Sequence, residues 1–366
     1  MELNAFASVA LYLAVFLLAG ALAYLGEKKK RVSLIALALI LPAILAGVRF
    51  NTGTDSMAYR AFYADIGAED FSASMSRVNN GSMEPFIVFL SRIGNALHLN
   101  VCFIFIVFAI ITTLFFYLTA RTISRKSAWL YYGMLLVIVF PESFNIMRQL
   151  AAVAVQAYTL SHIYDRRRNA LRPNWLLVIL MSAFSLSLHY SSILILPVLL
   201  LPLAIRYIRE RSLYLVLAVL AIACVCAFPA MLSFVMEIGL LSPKHYATFM
   251  ETPGSLINIK FFAAAILTVI YAINYRRSKL RRDKFLSFLM LIGTVYSAIG
   301  FYSGYVGRMS NFFWVFIVIA GVDLLGQLSE KKYSRVILSI MLGVLYFVGY
   351  YAVLGLGEII PYSIAI

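Results

Sequence analysis

Residues 49–60 combine charged and hydroxyl side chains in a short space, directly after an apolar stretch. The segment holds Arg49, Asp55 and Arg60 together with three hydroxyl side chains. The preceding apolar run, residues 32–47, is long enough to cross much of a bilayer. Ionisable groups at a membrane edge are costly to place and therefore indicate function. Since a guanidinium binds phosphate or carboxylate through two parallel hydrogen bonds, the segment predicts recognition of such an anion.

Two further arginines begin predicted helices that run back into the membrane. Arg148 and Gln149 end the sequence Pro-Glu-Ser-Phe-Asn-Ile-Met-Arg-Gln, and Arg308 follows Gly-Tyr-Val-Gly. An arginine in the first turns of an apolar helix faces protein or water, and the helix N-terminus adds a positive field that favours an anion. The pattern predicts that both arginines bind phosphate. For Arg148, an ion pair with Glu142 or Asp55 is the alternative.

His189 lies in Ser-Leu-His-Tyr-Ser-Ser, where two short predicted helices meet. Its imidazole could take or give a proton near neutral pH, or it could be an ordinary capping or core histidine. With the arginines and the carboxylates of Asp55, Glu84 and Glu142, it would make a site suited to a lipid-linked diphosphate. The arginines would stabilise a departing diphosphate, and a carboxylate or His189 would take the proton from an attacking sugar hydroxyl. The residues alone do not decide which group is the base.

The elements that must position these residues are transmembrane helices. Of 366 residues, 63% are apolar and 13% charged, and apolar runs of spanning length recur throughout. The sequence predicts an all-α polytopic membrane protein with one integral membrane domain over residues 1–366. It predicts about twelve transmembrane helices, within a range of ten to fourteen. They cover residues 5–25, 32–48, 99–119, 127–141, 144–164, 174–188, 190–206, 212–236, 257–275, 284–302, 309–327 and 334–356.

Loop charge predicts the orientation of these helices. With both termini outside, alternate loops on the cytoplasmic side hold 23 of the 31 Lys and Arg residues, as the positive-inside rule requires. This distribution explains the net charge of +15 without nucleic-acid binding. The longest outer-face loops would be residues 49–98 and 237–257, with residues 84–98 forming either a helix in the outer interface or a re-entrant segment. The remaining eight basic residues fall on the outer side: Arg49, Arg60, Arg77, Arg92, Arg148, Lys244, Lys260 and Arg308.

The sequence contains no signature of a bound cofactor. It has no Cys/His metal pattern, no phosphate-binding glycine loop, no dinucleotide-binding glycine set and no serine nucleophile elbow. We therefore expect neither a cofactor nor a metal.

Several of these motifs together resemble the EpsG-like branch of the Wzy-type polysaccharide polymerases. The resemblance rests on Arg49 through Tyr59 (Arg…Gly-Thr-Asp…Tyr), Arg148-Gln149, His189 with its following serines, and Arg308. It implies a GT-C-like glycosyltransferase of the bacterial plasma membrane. Such an enzyme joins undecaprenyl-diphosphate-linked oligosaccharide repeats on the outer face into O-antigen, capsule or exopolysaccharide. It also implies a flippase and a chain-length regulator as partners, and no metal or nucleotide sugar.

Carried over to this chain, the resemblance assigns Arg49, Arg148, Gln149 and Arg308 to diphosphate binding. Asp55 and His189 become the candidate base or acceptor-orienting groups, with Glu84 and Glu142 in reserve. An O-antigen ligase would use similar outer arginines, so it remains an alternative. A flippase or solute transporter is a further alternative, although transporters place polar groups near the midplane. Here only Asp323 lies well inside a predicted span.

Overall fold

The computed structural model describes residues 2–165, 170–200, 258–275, 278–328 and 332–364, with isolated positions between 219 and 237. Almost all of its regular structure is helical. One two-residue hairpin, β1 (Tyr164–Asp165) with β2 (Ala170–Leu171), pairs antiparallel. The α-helices are α1 (Ala5–Lys29), α2 (Val32–Gly47), α3 (Ser56–Ala68), α4 (Phe71–Asn79), α5 (Pro85–Ala96), α6 (Cys102–Ile123), α7 (Ala128–Ile138), α8 (Met147–Ser161), α9 (Trp175–Leu188), α10 (Leu196–Leu199), α11 (Ile259–Tyr275), α12 (Arg281–Ile299), α13 (Gly304–Gly307), α14 (Asn311–Leu328) and α15 (Lys332–Phe347).

The helices begin and end close to the predicted apolar runs. Within the described ranges, four stretches are long and apolar enough to cross a membrane: Ala5–Lys29, Cys102–Ile123, Arg308–Gln327 and Tyr333–Val353. Shorter apolar helices include α2, α7, α9 and α11. The chain is therefore a helical membrane protein. The predicted helix 212–236 and loop 237–257 lie almost wholly outside the described residues.

Two stretches differ from the simplest expectation. Residues 49–98 contain three short helices, α3 to α5, of which only α5 was expected. The predicted helix 190–206 starts as a 3-10 helix, Tyr190–Ile195, and continues as the single turn α10. Pro197 directly follows the first residue of α10, and a proline is tolerated there because the first helical turn needs no amide donor.

The chain divides into two compact units. The first comprises residues 1–162, 175–196 and 325–366, and the second comprises residues 163–174 and 197–324. In the second, Arg282 forms ion pairs with Asp283 (2.9 Å) and Asp323 (3.4 Å). Asp323, the charge expected inside a span, is thus neutralised within its own unit. That the whole chain forms one membrane domain remains a prediction.

A hydrophobic cluster in the first unit joins α3, α5, α6, α8 and α9. Its buried members include Tyr59, Ile87, Phe105, Met147 and Leu188. Leu188 directly precedes His189, and Met147 directly precedes Arg148. The packing that buries Leu188 and Met147 therefore also fixes the backbone positions of the two polar residues. Glu84 is held in the same way, because Ile87 anchors the first turn of the helix that Glu84 precedes.

Two arginines of the predicted outer face have structural partners. Arg77 forms an ion pair with Glu69 through both carboxylate oxygens, which ties α4 to the end of α3. Arg92 on α5 donates to the carbonyl oxygen of Glu69 at 2.6 Å, where α3 ends. A cation at a helix C-terminus satisfies its free carbonyls and its dipole. Arg77 therefore makes an ordinary salt bridge within the first unit.

The C-terminal segment, residues 358–364, packs against the loop that carries Arg49. Arg49 and Ile364 form an antiparallel bridge, and the amide of Phe50 donates to the carbonyl oxygen of Ser363 at 2.8 Å. The Tyr362 hydroxyl donates to the carbonyl oxygen of Leu45, near the end of α2, at 2.7 Å. The C-terminal segment therefore holds in place the loop that begins at Arg49, the first of the predicted site residues.

Candidate active site

Glu84 joins three parts of the chain that are distant in sequence. It occupies the N-cap position of α5 and is 4% exposed. Pro85 starts the helix, as a residue with fixed φ and no amide hydrogen can. The Glu84 carboxylate does not cap α5. Oε2 instead pairs with Arg148 Nη1, and Oε1 lies 2.5 Å from His189 Nδ1.

Arg148 is the second residue of α8, so its guanidinium is fixed by the start of that helix. Besides Glu84, it contacts Tyr59 of α3, with the guanidinium carbon 5.5 Å from the ring centroid. Its Nε is buried and has no hydrogen-bond partner. Arg148 therefore reaches the site already neutralised by one carboxylate, with a single donor unused. The ion pair that the sequence allowed for Arg148 exists, but Glu84 is the partner and not Glu142 or Asp55.

His189 lies in an extended conformation between α9 and the following 3-10 helix. Its amide donates to the carbonyl oxygen of Ser185 at 3.0 Å, and the hydroxyls of Ser185 and Ser192 are 2.7 Å apart. Ser185 Oγ also lies 3.1 Å from the carbonyl oxygen of Ala152 on α8. The serines around the histidine thus hold its backbone against α8. The Tyr190 hydroxyl donates to the carbonyl oxygen of Met83 at 3.0 Å and so anchors the residue before Glu84.

The charge on Glu84 is set by its two partners. Burial by itself would raise the pKa of Glu84, but the hydrogen bond from His189 and the charge of Arg148 together lower this pKa below its ordinary value of 4.5. The carboxylate is therefore ionised at neutral pH. Because it accepts the hydrogen bond from Nδ1–H of His189, the neutral ring presents Nε2 as its proton acceptor. This is the arrangement in which a carboxylate orients a histidine base.

Arg49 and Arg60 form a second group of positive charge in the same unit. Arg49 is 1% exposed, and its guanidinium stacks on Phe105 and Phe144 at 4.2 and 5.0 Å from the ring centroids. Nη1 donates to the carbonyl oxygen of Ala46 at 2.5 Å. Burial lowers the pKa of Arg49 to about 10, so it remains a cation at neutral pH. Arg60 Nη2 donates to the carbonyl oxygen of Arg49 at 2.7 Å.

The Asn-Thr-Gly-Thr-Asp turn after Arg49 docks on Asn145. Asn145 accepts from the amide of Thr54 at 2.7 Å and donates to the carbonyl oxygen of Gly357 at 2.7 Å. Gly53 has φ of +85°, and a Cβ there would collide with the carbonyl oxygen of Phe144. Only glycine combines that backbone conformation with so close an approach. The lone glycine of the motif therefore has a defined structural role.

The remaining predicted site residues are Asp55, Glu142, Gln149 and Arg308. Asp55 precedes α3 and accepts from the Thr54 hydroxyl at 3.1 Å. Glu142 accepts from the Tyr351 hydroxyl at 3.4 Å, and Gln149 is buried in the first turn of α8. Arg308 belongs to the second unit, where it is exposed in a 3-10 turn. The structure thus brings Glu84, Arg148 and His189 into contact and leaves the roles of the others as predictions.

Comparison with known proteins identifies the family of the chain. A model of the EpsG family matches residues 32–364, which is nearly the whole chain and includes every predicted site residue. The chain belongs to the EpsG family. No curated protein and no solved structure gives a significant match. As a member of the EpsG family, the chain is a membrane protein of polysaccharide biosynthesis, and the resemblance drawn from its motifs is confirmed.

Sequence reasoning missed two contributors to this EpsG-family site. Asn145 holds the loop that follows Arg49, but the predictions for its stretch of sequence concerned the charged residues Glu142 and Arg148 and not this asparagine. Tyr59 was noted as part of the motif, yet nothing in the sequence placed its ring beside Arg148. In the described ranges, no group of three or more His, Cys, Asp or Glu side chains is arranged to hold a metal ion.

Proposed function

We propose that this EpsG-family chain polymerises lipid-diphosphate-linked oligosaccharide repeats on the outer face of the bacterial plasma membrane. The observation that best supports the proposal is the contact of Glu84 with both His189 and Arg148. It combines a proton acceptor with a guanidinium in one buried cluster of a membrane protein. The proposal keeps the predicted orientation, with about twelve spans, both termini outside and a GT-C-like arrangement.

In the proposed reaction, a hydroxyl oxygen of one lipid-linked oligosaccharide attacks the anomeric carbon of the growing glycan on another. The new glycosidic C–O bond forms as the C–O bond to the lipid diphosphate breaks, and the diphosphate leaves with the electron pair. His189 Nε2 takes the hydroxyl proton. Glu84 keeps Nδ1 protonated and stabilises the imidazolium that forms, so it acts as a positioning residue.

The arginines would stabilise the negative charge that develops on the departing diphosphate, as preorganised donors do for a leaving oxyanion. Arg148 is placed closest to His189 by the shared carboxylate. Arg49 and Arg308 remain predicted diphosphate ligands, with Gln149 supporting. Asp55 and Glu142 remain predicted alternatives for orienting the acceptor hydroxyl. The substrate would be undecaprenyl-diphosphate-linked, with a flippase supplying it and a chain-length regulator acting beside the polymerase.

The test uses a strain that lacks the gene and carries His189→Ala, Arg148→Ala or Arg308→Ala at matched protein levels. Arg77→Gln is the control, because it removes a guanidinium of the predicted outer face that pairs with Glu69 and not with Glu84. We expect the control to keep a full ladder of polymer lengths on a gel, and the three variants to leave single repeat units outside the cytoplasmic membrane. Long polymer in all three would contradict the proposed site. Single units accumulating on the cytoplasmic side would indicate a flippase, and long unligated polymer outside would indicate a ligase.

A further inference from the structure

Arg49 and Arg60 differ from Arg77 and Arg148 in their lack of a counter-charge. Arg77 has Glu69 and Arg148 has Glu84. Among the residues that the structure describes, neither Arg49 nor Arg60 has a carboxylate within ion-pair distance. A buried charge is normally paired, since removing it from water is costly.

The two guanidiniums also keep donors unused. Nε and Nη2 of Arg49 and Nε of Arg60 are buried without a hydrogen-bond partner. Buried polar atoms almost always have a hydrogen-bond partner, so three buried donors without one on two neighbouring side chains are unusual. The bond from Arg60 Nη2 to the Arg49 carbonyl holds the two side chains next to each other, and both stand against Phe105, at 4.2 and 5.6 Å from its centroid.

The surroundings hold these cations but do not neutralise them. The carbonyl of Ala46 and the rings of Phe105 and Phe144 supply partial charges and π faces to Arg49, which favour a cation without cancelling it. Arg60 stacks on Phe50, whose side chain is 46% exposed, so the pair borders the surface beside that ring. If the pair had only a structural role, the repulsion between its two positive charges would destabilise the fold without a compensating negative charge. An anion that enters beside Phe50 would supply both the missing charge and the missing acceptors.

We propose that Arg49 and Arg60 form an anion-binding site for a phosphate group, separate from Arg148, whose charge Glu84 already cancels. The inference rests on the proposed function in taking the phosphate from the diphosphate of the lipid-linked substrate. Arg60 thereby becomes a substrate-binding residue that motif matching did not select. Tyr59 contacts Arg148, and Arg60 follows Tyr59 directly on α3. One turn of this helix therefore carries residues of both the proposed anion site and the Glu84 cluster.

The test measures equilibrium binding of radiolabelled farnesyl diphosphate to the full chain in phosphatidylcholine nanodiscs. A charge-assisted hydrogen bond is worth enough that Arg60→Gln should weaken binding about tenfold or more. Arg60→Lys should lose less, and Arg77→Gln should bind as the wild type does. The melting temperature of free Arg60→Gln should stay equal to or exceed that of the wild type, because the substitution removes like-charge repulsion. Farnesol, which lacks the diphosphate, should not compete.

Three results would overturn the inference. One is unchanged diphosphate affinity in Arg60→Gln. Another is weakened binding together with a lowered melting temperature of free Arg60→Gln, which would show a structural role. The third is displacement of the probe by phosphatidylglycerol at similar affinity, which would assign the site to a lipid headgroup. Binding does not need catalysis, so diphosphate binding that depends on Arg60 in a chain that never polymerises would refute only the proposed function. Polymerisation with Arg60-independent binding would refute only this site.

Discussion

Replacing Glu84 with glutamine separates the catalytic and structural roles of the Glu84 cluster. The substitution keeps the side-chain volume and removes the charge that both Arg148 and His189 contact. Without the carboxylate, the imidazolium loses its partner and Nδ1 loses a fixed acceptor. A positioned general base contributes about 10²–10⁴ to rate, so we expect the polymerisation rate to fall at least about a hundredfold.

Stability should fall as well, for a different reason. Arg148 would be left with no anion, and breaking a buried pair by removing one partner costs about 3–5 kcal/mol. The Arg148 side chain is 21% exposed, so we expect a value near the lower end, about 3 kcal/mol. Replacing Arg148 at the same time removes the orphaned charge. Glu84→Gln with Arg148→Gln should therefore recover most of the lost stability and none of the lost activity.

The assays are thermal unfolding of purified variants in one detergent and polymer formation from lipid-linked repeats at equal protein concentration. Arg77→Gln, which breaks the half-exposed pair with Glu69, is the control for loss of a surface ion pair. If Glu84→Gln retains activity within about tenfold of wild type, Glu84 does not position the base. If the double variant is less stable than both single variants, the charge argument is wrong.

Three further predictions concern pH, the Arg49 loop and the C-terminal segment. Because the pKa of Glu84 is lower when folded than its ordinary 4.5, its stabilisation is complete above that value and is lost as the pH falls through the folded pKa. The difference in melting temperature between wild type and Glu84→Gln should thus not shrink between about pH 7 and 5, and it should shrink below pH 4.5; shrinkage already above pH 5 would contradict this. Gly53→Ala should lower the free energy of unfolding by about 1–3 kcal/mol and reduce polymer formation, because its Cβ meets the Phe144 carbonyl. Gly81→Ala, at φ of +70° with open space around it, is the matched control, and an equal effect of both on thermal unfolding would refute the close-approach argument. Deleting residues 358–366 removes the partners of Arg49, Phe50 and Gly53, so polymer should be lost from a chain that still inserts; a normal ladder would show that the segment does not order the loop.

The sequence predicted helix positions well because each depends on an apolar run that no distant residue can change. The observed α2, Val32–Gly47, and α9, Trp175–Leu188, match their predicted ranges to within one residue. The helices α3 (13 residues) and α4 (9 residues) were missed because both are too short to span a membrane, and the prediction followed runs of spanning length. The ends of α4 depend on Asp70 as an N-cap and on the Arg77–Glu69 pair, and helices of this length are stabilised mainly by tertiary packing.

The sequence also selected residue types for the site but not their pairing. His189 and Arg148 were chosen for their chemistry, and in the structure both contact the carboxylate of Glu84. Their common partner was not predictable, because Glu84 lies 64 residues from Arg148 and 105 from His189. Contacts of that separation follow from how α5, α8 and α9 pack, which local patterns do not encode.

The same packing places the arginines of the first unit in two different electrostatic environments. Arg148 reaches the site paired with Glu84, so it offers a diphosphate less net positive charge than Arg49 or Arg60 does. Arg49 is buried and Arg60 is half-buried, and neither has an acid within ion-pair distance among the described residues; both retain buried donors without a partner, which an anion would satisfy. In the proposed reaction, a leaving group with two negative charges needs such uncompensated positive charge. The two clusters meet at α3, where Tyr59 contacts Arg148 and Arg60 follows Tyr59 directly in the chain.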